Sequence, residues 1–132
     1  MMQHSIKTRD GESRKEIFDP VRRIWVAMTP EEEVRQKFIL FLLDVKKFPL
    51  SHISVEHSIS VNGTVRRYDI VVFDSELKPY ILVECKAPEV PLSQEVLDQA
   101  CSYNSVLNAP VVCITNGTEV RTFAAGSKTS SH

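Results

Sequence analysis

The sequence has no apolar run approaching the ~20 residues that a membrane-spanning helix needs. Its first ten residues, 1–10, are polar and lack the apolar segment of a secretory signal. These two absences exclude an integral membrane protein with helical spans and argue against export. We therefore expect a cytoplasmic protein with no membrane contact.

Cysteine is scarce, and the three present are Cys85, Cys101 and Cys113. They lie inside predicted apolar elements and cannot all pair within one chain, so buried, reduced thiols are expected. No Cys-x-x-Cys pair occurs, which excludes the usual structural zinc site.

An excess of positive charge is also missing. The 16 Lys and Arg residues face 17 Asp and Glu residues, giving a net charge of −1. This balance argues against indiscriminate nucleic-acid binding, which needs many phosphate contacts, but leaves local contacts open. No Gly-x-x-x-x-Gly-Lys-[Ser/Thr] phosphate loop is present, so the chain has no ATP-driven motor of this type.

What is present suits one globular domain. The chain has 132 residues, of which 42% are apolar and 25% charged. Residues 1–16 are polar and show no periodic pattern, which predicts a mobile arm or the start of a short helix. Residues 17–125 are expected to form the single domain, and residues 126–132 a disordered, Ser/Thr-rich tail. Residues 21–28 fit a strand or a helix equally well.

A strong helix start stands at Thr29. Thr29 can cap, Pro30 suits the first turn, and Glu32 holds the capping-box position. The helix is predicted to run to Lys47 and end at Phe48-Pro49. Its predicted buried stripe consists of Val34, Phe38, Phe41, Leu42 and Val45.

Three antiparallel strands are predicted to follow as a meander. Residues 53–61 alternate apolar with polar, and Asn62-Gly63 supplies type I′ turn residues. The second strand starts near Thr64 and passes through Asp69. A four-residue loop, Ser75–Lys78, leads to the third strand.

The register of the last two strands follows from this loop. If Ser75 faces Lys78, opposed residues have numbers that sum to 153, which sets Asp69 across from Glu84 and Arg67 across from Lys86. Directly opposed side chains share a face, and a slip by one residue would separate them. Two adjacent carboxylates repel each other unless a cation intervenes. The pair therefore predicts a divalent cation site, and a salt-bridge cluster with both basic residues is the alternative.

An Asp followed after a short hairpin by a strand-borne Glu-x-Lys resembles the PD-(D/E)XK nuclease superfamily. The likeness is closest to the N-terminal nuclease domain of type I restriction enzyme R subunits. It spans residues 20–123 and rests on Asp69, Glu84 and Lys86. Tyr68 stands where the superfamily name has proline, a proline that is often absent there.

The second predicted helix follows Ser93, which can cap it. Gln99 and Tyr103 are four residues apart and share a face. A Gln-x-x-x-Tyr after the Glu-x-Lys strand resembles the RecB-like branch of the superfamily. The alternative is that Tyr103 packs in the core and Gln99 is a surface residue.

The remaining pattern completes the predicted fold. Residues 110–115 form a buried strand that should join the sheet in parallel through a right-handed crossover. Residues 119–123 form a last strand after the Asn116-Gly117 turn. We predict an α/β, restriction-endonuclease-like sandwich, with a mixed central sheet flanked by helices.

The resemblance implies a metal-dependent DNA endonuclease that hydrolyses phosphodiesters. Asp69, Glu84 and the backbone carbonyl of Cys85 would hold Mg²⁺ or Mn²⁺. Glu32, the family's helix glutamate, would assist, although a capping-box role explains it as well. Lys86 would position or deprotonate water, or stabilise developing charge. The implied DNA-binding residues are Gln99, Tyr103 and Arg67.

Two alternatives use the same residues. One is a catalytically inactive module that keeps the nuclease fold for DNA binding or complex assembly. The other is an RNA-directed or repair nuclease. Because the phosphate loop is missing, the chain is either an excised domain or a small protein that works with separate helicase, ATPase or specificity subunits. A homodimer is left open, since double-strand breaks usually need two active sites.

Overall fold

The computed structural model describes residues 4–125, which form ten strands and two α-helices. A π-helical turn (Phe41–Val45) extends the first helix, and a short 3-10 turn covers Leu50–His52. The strands and helices, in chain order, are β1 (Thr8–Asp10), β2 (Lys15–Asp19), β3 (Ile24–Ala27), α1 (Pro30–Leu40), β4 (Ile53–Val55), β5 (Ser58–Val61), β6 (Thr64–Arg67), β7 (Ile70–Phe73), β8 (Pro79–Cys85), α2 (Gln94–Leu107), β9 (Val111–Thr115) and β10 (Val120–Ala124).

The central sheet has five strands in the order β10-β9-β8-β7-β4. Strands β8 and β9 are parallel, and the other pairs are antiparallel. The crossover between the parallel strands contains α2, which confirms the predicted parallel connection. The protein is therefore a mixed α/β structure with a mixed sheet.

The two helices pack on opposite faces of this sheet. Alternate residues of β7 and β8 belong to different core clusters: Ile70 and Val83 pack with α1, whereas Val71 and Leu82 pack with α2. Period-two alternation sends neighbouring side chains to opposite faces, which explains the near-continuous apolar sequence of these strands.

The predicted meander has the right strand order but is not one continuous sheet. Glu56 has a positive φ of 53°, and the chain breaks there between β4 and β5. A second break, at Tyr68 and Asp69, separates β6 from β7. Strands β5 and β6 therefore pair in a two-stranded sheet of their own, while β4 pairs with β7. Tyr68 is buried at this break, and its hydroxyl lies 2.7 Å from the hydroxyl of Ser54.

The register predicted for the last two strands is confirmed where they pair. Ile70 faces Val83, and Val72 faces Ile81, so the numbers sum to 153. The loop differs from the prediction, because it takes five residues, 74–78, and the register shifts after Val72. This irregularity lies at the loop end of the paired strands, where Phe73 pairs with Pro79, and leaves the register toward Asp69 intact.

The N-terminal segment forms a second sheet, in the order β1-β2-β3. The sequence predicts a mobile arm or the start of a short helix for residues 1–16, whereas residues 8–10 and 15–16 lie in strands. The turn between β1 and β2 closes through Gly11 N–H donating to the Arg14 carbonyl at 2.8 Å. Within β2 only Ile17 and Asp19 are buried, which leaves too short an apolar pattern to recognise. The predicted tail, 126–132, lies outside the described residues.

Helix α1 begins as predicted, with the Thr29 hydroxyl accepting a hydrogen bond from Glu32 N–H at 3.0 Å. It passes into a π-helical turn instead of continuing as an α-helix to Lys47. The wider turn shifts the phase of the buried face, so the predicted stripe is only partly correct. Of the predicted stripe, Val34 and Leu42 are buried and Phe38 is half-buried. Phe41 and Val45 are exposed. Ile39 and Leu43, which were not predicted, are buried instead.

The three cysteines differ in their exposure to solvent. Cys85 and Cys113 are buried in the core on the α1 side of the sheet. Cys101 is exposed on α2, so the prediction of three buried thiols is wrong at this position. Neither α-helix in residues 4–125 is long and apolar enough to cross a membrane.

Candidate active site at the end of strand β8

The confirmed register brings Asp69 and Glu84 together where β7 begins and β8 ends. The backbone N–H of Asp69 donates to Glu84 Oε2 at 3.3 Å, and Cys85 N–H donates to Asp69 Oδ2 at 2.7 Å. Asp69 is 8% exposed and Glu84 is 4% exposed. The two acids therefore form the buried pair that the sequence predicted.

Burial raises the pKa values of both acids, and their mutual repulsion contributes to the rise at Glu84. Burial raises the pKa of Glu84 to about 9, and the neighbouring Asp69 carboxylate contributes to the rise. Burial also raises the pKa of Asp69, but Cys85 N–H and the Arg35 guanidinium favour its charged form. The surroundings of Asp69 therefore favour its charged form more than those of Glu84 do, and Glu84 holds its proton well above its usual pKa.

Lys86 lies one residue beyond β8 and is held by two elements. Its backbone N–H donates to the Thr115 carbonyl at 2.8 Å, which extends the contact with β9. Its Nζ donates to Gln99 Oε1 of α2 at 3.2 Å. The structure thus brings together Lys86 and Gln99, which the sequence had assigned to the site separately.

The predicted facing of Arg67 and Lys86 is wrong. Arg67 pairs with Ser58 in the two-stranded sheet instead. The register extrapolates correctly from Ile70 to Asp69, but the break at Tyr68 turns the chain before Arg67 can lie across from Lys86.

Glu32 is buried and is linked to Asp69 through Arg35, but its carboxylate does not complete a capping box. Thr29 N–H donates to the Ala27 carbonyl and not to Glu32. The Glu32 carboxylate accepts from Arg35 Nε at 3.0 Å and from Arg35 Nη2, and from Gln36 Nε2 at 2.9 Å. The capping-box explanation of this residue is therefore wrong, and its side chain belongs to an ionic network.

Arg35 is the centre of that network. Its Nη1 lies 2.9 Å from Asp69 Oδ1 and 3.1 Å from Glu56 Oε2. Burial lowers the pKa of its guanidinium, but bonding to Glu32 and the charges of Asp69 and Glu56 more than offset this and raise it overall. Arg35 therefore remains a fixed positive charge behind the acidic pair.

The N-terminal sheet extends the network away from the site. Asp19, which is fully buried at the end of β2, accepts from Gln36 Nε2 at 3.0 Å and from Arg22 Nε at 2.8 Å. Arg22 also pairs with Glu56 at 3.3 Å. Residues before α1 thus help to hold the side chains that surround Glu32.

Glu31 is a site residue that the sequence reasoning missed. Burial of its carboxyl and the charge of Asp69 raise its pKa, while Lys86 and Arg35 lower it. Glu31 lines the same groove as Lys86 and lies close enough to Asp69 for that charge to affect its pKa. Sequence could not choose between Glu31 and Glu32, because Arg35 stands four residues after one and three after the other, and both spacings place side chains together.

An open groove of about 670 Å³ leads from Lys86 along α2; we call it the active-site groove. Its charged walls come from α1, α2 and the strand β6. Among the described residues it is lined by Glu31, Arg66, Lys86, Val90, Glu95, Val96, Asp98, Gln99 and Ser102.

The predicted DNA-binding residues relate to this groove in different ways. Gln99 lines the groove. The arginine that lines it is Arg66 and not the predicted Arg67. Tyr103 is buried in a core cluster with Tyr68 and Leu82, as the packing alternative describes. Contact of Tyr103 with DNA remains a prediction.

The donor set fits a hard divalent cation with few protein ligands. Within residues 4–125 no group of three or more His, Cys, Asp or Glu residues is placed to enclose a metal ion. Mg²⁺ usually takes one or two carboxylates and keeps several waters, which matches the pair Asp69 and Glu84. A cation there would also relieve the repulsion that raises the pKa of Glu84.

Fold and site together define a mixed α/β protein whose buried acidic pair and neighbouring lysine lie at one strand end beside an open groove. Residues 30–132 match the family described as the type I restriction enzyme R protein N terminus. The chain belongs to this family. No curated protein matches the chain.

Proposed function

We propose that this protein is a metal-dependent DNA endonuclease of the PD-(D/E)XK type, with a restriction-endonuclease-like fold, that acts in a restriction system. The observation that carries the proposal is the buried contact between Asp69 and Glu84 beside Lys86. Family membership supports the restriction role. Burying two acids together is costly unless the site uses them.

Asp69, Glu84 and the backbone carbonyl of Cys85 would hold Mg²⁺ or Mn²⁺. A divalent cation at such a site supplies Lewis-acid activation of water and neutralises charge during phosphodiester hydrolysis. The Cys85 peptide is already fixed there, because its N–H donates to Asp69. Glu84 must lose its proton to act as a ligand.

Lys86 provides the positive charge closest to the reacting phosphate in this proposal. Its amine positions or deprotonates the attacking water, or stabilises the charge that develops on the phosphate. The hydrogen bond to Gln99 orients the amine toward the groove.

Glu32 assists through Arg35 rather than by direct contact. Its carboxylate pairs with the guanidinium that contacts Asp69, so it helps to orient Asp69 and keep it charged. Glu31 is better placed than Glu32 for a direct role, because it lines the groove together with Lys86.

DNA is the proposed partner, contacted by Gln99 at the groove. A contact of the Tyr103 hydroxyl with DNA is part of the proposal, although this side chain is buried and does not line the groove. Arg67, which the sequence had assigned to DNA, is not among the proposed contacts, because Arg66 and not Arg67 lines the groove. Separate helicase, ATPase or specificity subunits would supply the motor and the target sequence in the cytoplasm. A homodimer would supply two sites for a double-strand break.

Plasmid cleavage with Mg²⁺ or Mn²⁺ tests the mechanism. We expect Asp69→Ala and Lys86→Ala to abolish cleavage. Lys78→Ala is the matched control, since its side chain is 73% exposed in the β7–β8 loop. Unchanged cleavage in both site variants would reject the mechanism.

One observation favours the second candidate, an inactive module for DNA binding or assembly. Both Asp69 carboxylate oxygens already have partners, Arg35 on Oδ1 and Cys85 N–H on Oδ2. If the guanidinium permanently replaces the cation, titration calorimetry with Mn²⁺ will detect no binding that depends on Asp69 and Glu84. Binding that disappears in both variants would instead support the nuclease.

A further inference from the structure

The hairpin formed by β5 and β6 has two different faces. The pairs Ile59–Arg66 and Val61–Thr64 share one face, because directly opposed residues point the same way. The pairs Ser58–Arg67 and Ser60–Val65 share the other. Arg66 and Arg67 are thus sent to opposite sides of the hairpin, although they are neighbours in sequence.

The inner face of the hairpin packs on α2. Val61 is buried, and Ile59 packs against the same core cluster, which contains Tyr103. This anchoring directs the Ile59–Arg66 face toward α2 and the active-site groove. Arg66 accordingly lines the groove together with Lys86 and Gln99.

The outer face has no such packing. Val65 is 73% exposed, and Arg67, which shares its face, is exposed as well. Arg66 and Arg67 therefore carry equal charges in different positions: one arginine at the groove and one outside it.

The charge of the hairpin differs from that of the whole chain. Its ten residues, 58–67, contain two arginines and no acid, whereas the net charge of the protein is −1. A turn with φ of 51° at Asn62 and 80° at Gly63 closes it tightly. The hairpin is therefore a compact basic element beside a site surrounded by acids.

The acids of the groove lie on its other walls. Glu95 and Asp98 come from α2, and Asp98 accepts a hydrogen bond from Gln94 Nε2 at 2.8 Å. Glu31 stands at the α1 end of the groove. The cations that line the groove are Lys86, at the end of β8, and Arg66, on the hairpin. A polyanion in the groove is repelled by the α2 wall and attracted toward the hairpin.

We propose that Arg66 holds the sugar–phosphate backbone of the DNA, and that the β5–β6 hairpin is the groove wall along which this backbone runs toward Lys86. This assignment rests on the proposed nuclease function and adds the residue that positions the substrate. Arg66 is a binding residue that contacts phosphate, not a participant in the chemistry.

Comparison of Arg66→Ala with Arg67→Ala tests the assignment, because both variants remove one positive charge from the same hairpin. Binding of a fluorescent DNA duplex is measured in EDTA by anisotropy across a range of salt concentrations. We expect Arg66→Ala to weaken binding about tenfold and to reduce the salt slope by about one, as loss of one phosphate contact predicts. Arg66→Lys should keep most of the affinity, and Arg67→Ala should change it by less than about twofold.

Cleavage of the same duplex in Mg²⁺ or Mn²⁺ distinguishes failure of the Arg66 assignment from failure of the proposed nuclease function. If the wild type cleaves DNA and the two alanine variants bind it equally well, the assignment of Arg66 is wrong and the nuclease function stands. If the wild type neither binds nor cleaves DNA, both fail. Equal thermal unfolding of the two variants shows that a difference between them does not arise from misfolding.

Discussion

Replacing Glu84 with glutamine should make the metal-free protein more stable at alkaline pH. Burial and the neighbouring Asp69 raise the pKa of Glu84 from 4.5 to about 9. The folded state therefore keeps a proton that the unfolded chain releases in this interval. Stability linked to Glu84 is complete below pH 4.5 and is lost as the pH rises toward 9. The amide of glutamine does not titrate, so the Glu84→Gln variant avoids this loss.

The size of the effect follows from the width of the interval. Each pH unit between the two pKa values costs about 1.4 kcal/mol, which gives about 4 kcal/mol between pH 5.5 and pH 8.5 as an upper bound. Side chains and water rearrange around a newly charged buried carboxylate and reduce this cost. We therefore expect the free energy of unfolding of the wild type to fall by about 2–4 kcal/mol more than that of Glu84→Gln.

Urea unfolding in EDTA at the two pH values measures this difference. Glu76→Gln is the matched control, because the Glu76 side chain is 74% exposed in the β7–β8 loop and should behave as the wild type. Saturating Mg²⁺ should restore the wild type at pH 8.5 by binding only the folded state, with a smaller effect on Glu84→Gln. An identical pH dependence in wild type and Glu84→Gln would show that Glu84 does not hold its proton in the folded state over this pH range.

Three further predictions concern the framework of the site. Arg35→Met should lower the free energy of unfolding at pH 7 by about 3–5 kcal/mol in urea titrations, because it leaves buried carboxylates without their counterion; a loss below about 1 kcal/mol would contradict this. Cys101 should react with a thiol reagent in the native protein, whereas Cys85 and Cys113 should react only on unfolding. Burial raises the pKa of both buried thiols, and that of Cys113 to about 11. Labelling of all three cysteines in the native protein would contradict this prediction. Gly63→Ala should cost about 1 kcal/mol in thermal unfolding through its φ of +80° alone, because no atom of residues 4–125 lies within 4 Å of the added Cβ. An unchanged melting temperature would show that the turn relaxes.

The acidic pair could be predicted because its causes are local. Two apolar runs with a short polar break determine a hairpin, and the register of that hairpin brings Asp69 into contact with Glu84. The parallel strand β9 and the Thr29 cap were predicted for similar reasons, from a crossover rule and a capping preference.

Positions beyond a break could not be predicted in this way. Alternation in a continuous strand would give Arg67 the same face as Asp69, but the chain turns at Tyr68, and Arg66 takes the place in the groove. Nothing in the sequence marks Glu56, a non-glycine residue with positive φ, as the matching break in the partner strand. The π-helical turn escaped prediction because it inserts a residue into a helical pattern that otherwise continues.

The match to the family begins at Pro30, but Asp19, which precedes it in the sequence, accepts a hydrogen bond from Gln36 within it. A fragment cut at that boundary would lose the Thr29 cap of α1 and one of the two carboxylates that accept from Gln36, that of Asp19. The buried amide would then face a gap, and Glu56 would lose its contact with Arg22. The contacts that support the acidic pair thus extend beyond the region that matches the family, because Asp19 of β2 holds Gln36 of α1.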